Sequence, residues 1–307
     1  MIAAVLGASR DPAAERRIGF ACAFAILFVW TGFILASRAG ARGVLTPWDL
    51  AALRFGVAFV VLLPLILRGA LKAIPLQRIL VMGGTAGLGF ALFAYNAFAL
   101  APAAHGAVLL PGALPFVTAL LAWAWLGERP TARRALSLAV VAVGIVLLAG
   151  SGFVATPGAW RGDILFFIAT SSYAVFIVLV QRWRISAIQA TVAVALGAAP
   201  FYLPVWWFAL PSAMTEAAWQ EVVFQGVYQG LVAMVVASLL YTRALVALGS
   251  TTVSLFTAVV PALAALAAWP VLGEPLGLGA LAGVLLVTGG MVLGVRAGRV
   301  EVPLARP

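Results

Sequence analysis

Residues 115–128 read PFVTALLAWAWLGE, and residues 261–274 read PALAALAAWPVLGE. Laid over one another at a constant offset of 146, they agree at eight of fourteen positions: Pro115 with Pro261, Ala119 with Ala265, Leu120 with Leu266, Ala122 with Ala268, Trp123 with Trp269, Leu126 with Leu272, Gly127 with Gly273 and Glu128 with Glu274. Without a gap, the same offset pairs Tyr95 with Tyr241, Gly144 with Gly290 and Val146 with Val292. Agreement sustained this far marks an internal duplication.

Hydrophobic residues make up 64% of the chain and charged residues 9%, with a mean hydropathy of +1.14. A soluble domain is about a quarter charged, so no water-facing surface can be built from this composition, whereas a bundle surrounded by lipid is apolar all round. A hydrocarbon core of about 30 Å takes about 20 helical residues at 1.5 Å each. Ten apolar runs of that order are expected to span: Ile18–Ser37, Trp48–Leu67, Ile79–Leu100, Ala104–Leu126, Ala135–Gly150, Ile164–Gln181, Ala187–Phe208, Val222–Leu248, Thr252–Leu272 and Leu276–Val295, the fifth and sixth being short. Connections of a few residues leave no room for a soluble catalytic or nucleotide-binding domain.

The net charge of +10 does not point to nucleic acid, because the basic residues are scattered between apolar runs rather than gathered into a stripe beside aromatic platforms. Membrane orientation accounts for them. With the N-terminus inside, fifteen of the nineteen Lys and Arg residues fall on the cytoplasmic side, Arg38, Arg42 and Arg161 fall outside, and Arg54 lies within the second span. Basic residues near helix ends are retained in the cytoplasm, so both termini are expected there. Residues 1–17 then form an N-terminal tail, 18–150 the first repeat, 162–296 the second and 297–307 a C-terminal tail. The first apolar run is of full span length and reads as a retained helix rather than a signal cleaved at Ala39-Gly40-Ala41.

Five helices in each half place the two Leu-Gly-Glu turns on opposite sides of the membrane, so the repeats are inverted. Inverted half-bundles form inward- and outward-open states of similar energy around a site at their interface. The expected fold is thus all-α, with ten transmembrane helices in two inverted five-helix repeats around a central cavity, and alternating access is its expected mechanism. A channel is the main alternative.

At these residues the chain resembles the drug/metabolite transporter superfamily in its ten-helix form, built from two EamA-type repeats. The resemblance rests on Leu126-Gly127-Glu128-Arg129-Pro130, on Leu272-Gly273-Glu274-Pro275-Leu276, on Pro115 and Pro261, and on Ala51-Ala52-Leu53-Arg54-Phe55. It covers essentially the whole chain. It implies export or exchange of amino acids, other small metabolites or drugs across a bacterial inner membrane. Within the superfamily the chain is similar to amino-acid exporters of the YddG kind, which favour aromatic substrates. A monomer is expected, partnered by its small-molecule substrate and the bilayer, with no cofactor.

Polar side chains inside a bilayer are costly and tend to face the bundle interior, which makes them the site candidates. Gln225, Tyr228 and Gln229 lie at i, i+3 and i+4 on one helical face; two amides and a phenol suit a zwitterion, and interhelical hydrogen bonding suits them equally well. Ser171, Ser172 and Tyr173 lie in the sixth span, and an offset of 143 sets Tyr173 opposite Trp30. Paired aromatics would wall a cavity for flat apolar side chains. Asn96 is a further cavity candidate, beside Tyr95, which with Tyr241 reads as an interfacial anchor. Pro111, Pro115 and Pro261 would bend their helices as hinges. His105 could shuttle protons but reads more readily as solvated in a turn. Arg54 could neutralise a substrate carboxylate, though snorkelling outward is slightly favoured. Glu128 and Glu274 read as structural.

All nine acidic residues fall in tails, turns or helix ends, which argues against a buried-acid proton antiport and for facilitated export or exchange. Lys72, the one lysine, is outside any GxxxxGKS/T loop, so this chain binds no ATP through that motif. One His, Cys22 as the one cysteine, and peripheral acids cannot assemble a metal site or a membrane-embedded catalytic constellation. No enzyme is expected.

Overall fold

The computed structural model describes residues 12–126 and 131–297. Ten helices follow one another: α1 (Pro12–Arg42), α2 (Pro47–Leu67), α3 (Leu76–Leu100), α4 (Ala103–Trp125), α5 (Ala132–Ala155), α6 (Ala159–Trp183), α7 (Ala187–Ala209), α8 (Trp219–Gly249), α9 (Thr252–Leu272) and α10 (Leu278–Ala297). No strand occurs among the described residues. Nine of the helices are long and apolar enough to cross a bilayer, and α5, with 24 residues, has the length to do so. The all-helical membrane fold read from composition is the one found.

Three helices differ in extent from expectation. The fifth and sixth helices, expected to be short, run for 24 and 25 residues. Helix α1 begins at Pro12 rather than near Ile18, because its first turns are held by an ion pair between Glu15 and Arg243 of α8. Of the tails expected at 1–17 and 297–307, residues 12–17 and 297 belong to α1 and α10, and residues 1–11 and 298–307, like Glu128, lie outside the described residues.

Lipid offers no hydrophobic drive for apolar helices to associate, so close packing has to supply it. Large side chains accordingly face outward, among them Phe28, Trp207, Phe208 and Leu278, and glycines line the seams. Gly144 and Gly283 bring α5 and α10 together so closely that a Cβ on either would stand 2.8 or 2.7 Å from the other's carbonyl oxygen. Gly290, the repeat counterpart of Gly144, seats on Val141 in the same seam, and its carbonyl accepts a 2.8 Å hydrogen bond from Ser137. Between α3 and α7, a Cβ on Gly83 would fall 2.2 Å from the backbone of Gly197.

Three helices carry widened π turns: Gly83–Gly89 in α3, Val108–Gly112 in α4 and Gly226–Val236 in α8. By the 146 offset, residues 83–89 correspond to 229–235, so the α3 and α8 stretches are repeat equivalents. In α4 a turn at Ala113 precedes the segment Leu114–Leu126; in α9 a turn at Ala258 and Val259 precedes Val260–Leu272. Pro115 and Pro261 each stand second in these restarted segments, where a missing N–H costs no helical hydrogen bond. Between α8 and α9, Gly249 breaks the helix with φ +78°, a left-handed conformation that glycine adopts freely.

Polar knots join the repeats at the bundle's ends. Glu274, just past Gly273 (φ +68°), accepts from Arg38 at 2.7 Å and Arg42 at 3.3 Å and from the backbone N–H of Ala103 at 2.8 Å. Arg38 also donates to the Phe98 carbonyl. At the same end His105 of α4 meets Asp163 of α6 at 2.6 Å. The Glu15–Arg243 pair joins α1 to α8 at the opposite end.

Candidate functional site

A cavity of about 120 Å³ opens inside the bundle between the two repeats. The first repeat supplies Trp30, Phe33 and Ile34 from α1, Arg54 from α2, Phe90 from α3, and Leu110, Pro111 and Leu114 from α4. The second adds Thr170 and Tyr173 from α6, Ala233 from α8 and Val260 from α9. The irregular stretches set this wall. Phe90 follows the π turns of α3, Leu110 and Pro111 lie within those of α4, and Ala233 lies within those of α8. A π turn places its residues off the normal helical stripe, and such turns recur at functional sites.

Thr170 donates to the Leu109 carbonyl at 2.7 Å, and Ser172 donates to the Thr85 carbonyl at 2.9 Å. Both acceptors lie within the widened turns, so α6 ties itself to the irregular stretches of α4 and α3. The aromatic lining forms a connected set: Phe90 meets Phe33 at 6.1 Å and Tyr173 at 5.2 Å between ring centroids, and Trp30 stacks on Tyr241 at 5.5 Å.

Arg54 is the charge in this wall. It is 9% exposed, and its guanidinium lies 5.6 Å from the Phe33 centroid and 5.9 Å from that of Phe90, within cation–π range. One terminal nitrogen reaches the Gln229 carbonyl at 3.5 Å, and Nε has no partner. This corrects the snorkelling expectation. The ring faces of α1 and α3 hold the side chain inward, and the helix ends that it would have to reach are farther than its stem.

The other candidates are distributed as follows. Gln225 donates to the Ala36 carbonyl at 2.9 Å; Gln229 donates to Ser37 and to the Gln225 side chain and accepts from Tyr95 at 3.0 Å. Both amides are buried, satisfied by protein groups and outside the cavity lining. Tyr228 donates to the Val29 carbonyl at 3.2 Å, against Gly32, where a Cβ would collide with its hydroxyl. Asn96 and Ser171 return to carbonyls of their own helices, Leu92 and Phe167. None of these lines the cavity, and each polar group has a backbone or side-chain partner within reach. Pro111 lines the cavity, Pro115 is exposed, and Pro261 is buried against Gly112.

Three further expectations are corrected. His105 is buried rather than solvated, because Asp163 lies beside it. Tyr95 is fully buried with its hydroxyl on Gln229, and Tyr241 is stacked on Trp30, so neither is an interfacial anchor. Phe33, Phe90 and Thr170 were not singled out from sequence. Phe33 stands one turn from Trp30, and Phe90 follows a Gly-rich run, GGTAGLG, whose composition is the one advance sign of irregular helix.

Against known proteins, a profile of the EamA-like transporter family matches residues 17–150 and again 160–296. No curated protein matches. Sixteen solved chains do. One, described as "Crystal structure of protein", superposes with a TM-score of 0.59 at 20% identity, covering 92% of this chain and 96% of its own, and at that identity the likeness concerns the fold alone. Two consecutive family matches that together take in all ten helices, with a cavity between them, identify the chain as a member of the EamA-like transporter family.

Proposed function

We propose that this protein is an alternating-access secondary transporter that exports or exchanges amino acids, preferring aromatic and hydrophobic side chains, across a bacterial inner membrane. Both termini are cytoplasmic in this reading, which places the Glu274 knot at the outer end. The observation that carries the substrate reading is the cavity wall: Trp30, Phe33, Phe90 and Tyr173 offer ring faces and edges to a flat apolar group, and Arg54 offers a guanidinium with an open N–H. Carboxylates are the natural partners of that donor fork. The cavity's place between inverted repeats supports alternating access.

In this reading the restarted segments at Pro115 and Pro261 and the π stretches are where the helices bend. The test is uptake of labelled tryptophan, phenylalanine, threonine and an uncharged sugar into proteoliposomes, with and without an imposed pH gradient. Saturable uptake of the aromatic amino acids is expected, with threonine weaker and the sugar excluded. Absence of amino-acid uptake would remove the substrate reading, and non-saturable flux would indicate a channel. Pro115→Ala and Pro261→Ala should fold and slow exchange; unchanged rates in both and in the double variant would remove the hinge role.

A further inference from the structure

We propose, resting on the transporter reading above, that the cavity recognises its substrate by a carboxylate and offers no carboxylate of its own to an ammonium. Aromatic and hydrophobic carboxylic acids that lack an amino group should therefore be bound at least as well as the corresponding amino acids.

The asymmetry lies in the polar inventory of the wall. On the donor side, Arg54 Nε is buried without a partner, and among the described residues neither the Trp30 indole N–H nor the Tyr173 hydroxyl makes a hydrogen bond. These are three donors on one small cavity. On the acceptor side, every described carboxylate is elsewhere: Glu15 on Arg243, Asp49 in the α2–α7 junction, Asp163 on His105, Glu274 on Arg38, and Glu216 and Glu221 at the start of α8. Backbone carbonyls loosened by the π turns could otherwise cradle an ammonium, but Leu109 and Thr85 already accept from Thr170 and Ser172.

Ring faces do not replace a carboxylate. Phe33 and Phe90 are turned to the Arg54 guanidinium itself, and Trp30 is covered on one side by Tyr241. A second cation brought beside Arg54 would be repelled, whereas an anion would fill the open N–H and neutralise the charge. An amino acid must leave its ammonium facing, at most, the neutral hydroxyl oxygens of Thr170 and Tyr173 beside a guanidinium, so its removal does not weaken the fit.

Thermal stabilisation of the purified protein in detergent, measured with L-phenylalanine, 3-phenylpropionate and phenethylamine at matched concentrations, separates the two headgroups without requiring transport. The expected result is a melting shift from 3-phenylpropionate equal to or larger than that from phenylalanine, and none from phenethylamine. Arg54→Gln should abolish both shifts, and Arg54→Lys should retain the preference for the carboxylate with at least tenfold weaker binding. A phenethylamine shift as large as that of phenylalanine would overturn the proposal, as would phenylalanine stabilising while 3-phenylpropionate does not, or no shift with any ligand. The wild-type comparison needs no variant, so misfolding of Arg54→Gln would leave it decisive. If the carboxylate preference held while phenylalanine uptake failed, the amino-acid reading would fall and the anion reading would stand.

Discussion

Asp49 and Arg54 sit on the same helix, five residues apart, and both are buried charges, yet their surroundings differ in kind. Asp49 is enclosed by donors. Its Oδ1 accepts from Trp206 Nε1 at 2.9 Å and Ser212 Oγ at 2.6 Å, and its Oδ2 from the backbone N–H groups of Thr46 at 3.0 Å and Ala213 at 2.9 Å. It also completes the capping box of α2 with Thr46. Arg54 has two ring faces, one long contact to a carbonyl and an open N–H. A buried charge with every valence met ties the fold together, while one left short is stable only if a partner arrives or its cost is carried by the rest of the bundle. Burial alone does not distinguish the two; the partner inventory does.

Substitution should separate them on one scale, the thermal stability of the purified protein. Asp49→Ala removes the acceptor of five donors where α2 meets α7 and the segment after it and should cost on the order of 3–5 kcal/mol, seen as a large fall in melting temperature. If Asp49→Ala melts as the wild type does, the closed inventory around Asp49 is not structural. Gln229→Leu removes the acceptor for Tyr95 and the donor to Ser37 and should cost about 1–3 kcal/mol, with transport lost only in proportion to folded protein. Glu274→Gln weakens the knot between α1, the α3–α4 turn and the α9–α10 turn and should cost about 1–2 kcal/mol. The half-exposed partner substitution Arg42→Ala should cost under about 0.5 kcal/mol, which melting curves of the two variants would tell apart. Arg54→Gln should leave stability within about 1 kcal/mol of the wild type, while lowering uptake at least on the order of tenfold. A variant that melted early and transported normally would reverse the contrast.

The sequence made the duplication and the spans readable because both depend on long apolar stretches and on Leu-Gly-Glu turns that recur at one offset. Direction around the helix was not readable. Arg54, Gln229 and Tyr95 all read as intramembrane or near-membrane polar groups, and whether each meets lipid, a neighbouring carbonyl or a cavity depends on contacts between residues more than a hundred positions apart. His105 and Asp163 are separated by 58 residues, and their pairing requires the close approach of α4 to α6 that Gly106 permits against Phe98 and Phe166. The π turns left only a glycine-rich signature, because one extra residue per turn does not disturb a hydropathy profile.

The π stretches of α3 and α8 also speak to the order of past events. A widened turn is in effect a single inserted residue that the surrounding helix has absorbed. Two such insertions at equivalent places in the two halves are more simply inherited once, from a five-helix ancestor that already carried the bulge, than acquired twice. The ancestral half would then have met a second copy of itself in opposite orientation with this irregularity already facing the shared interior.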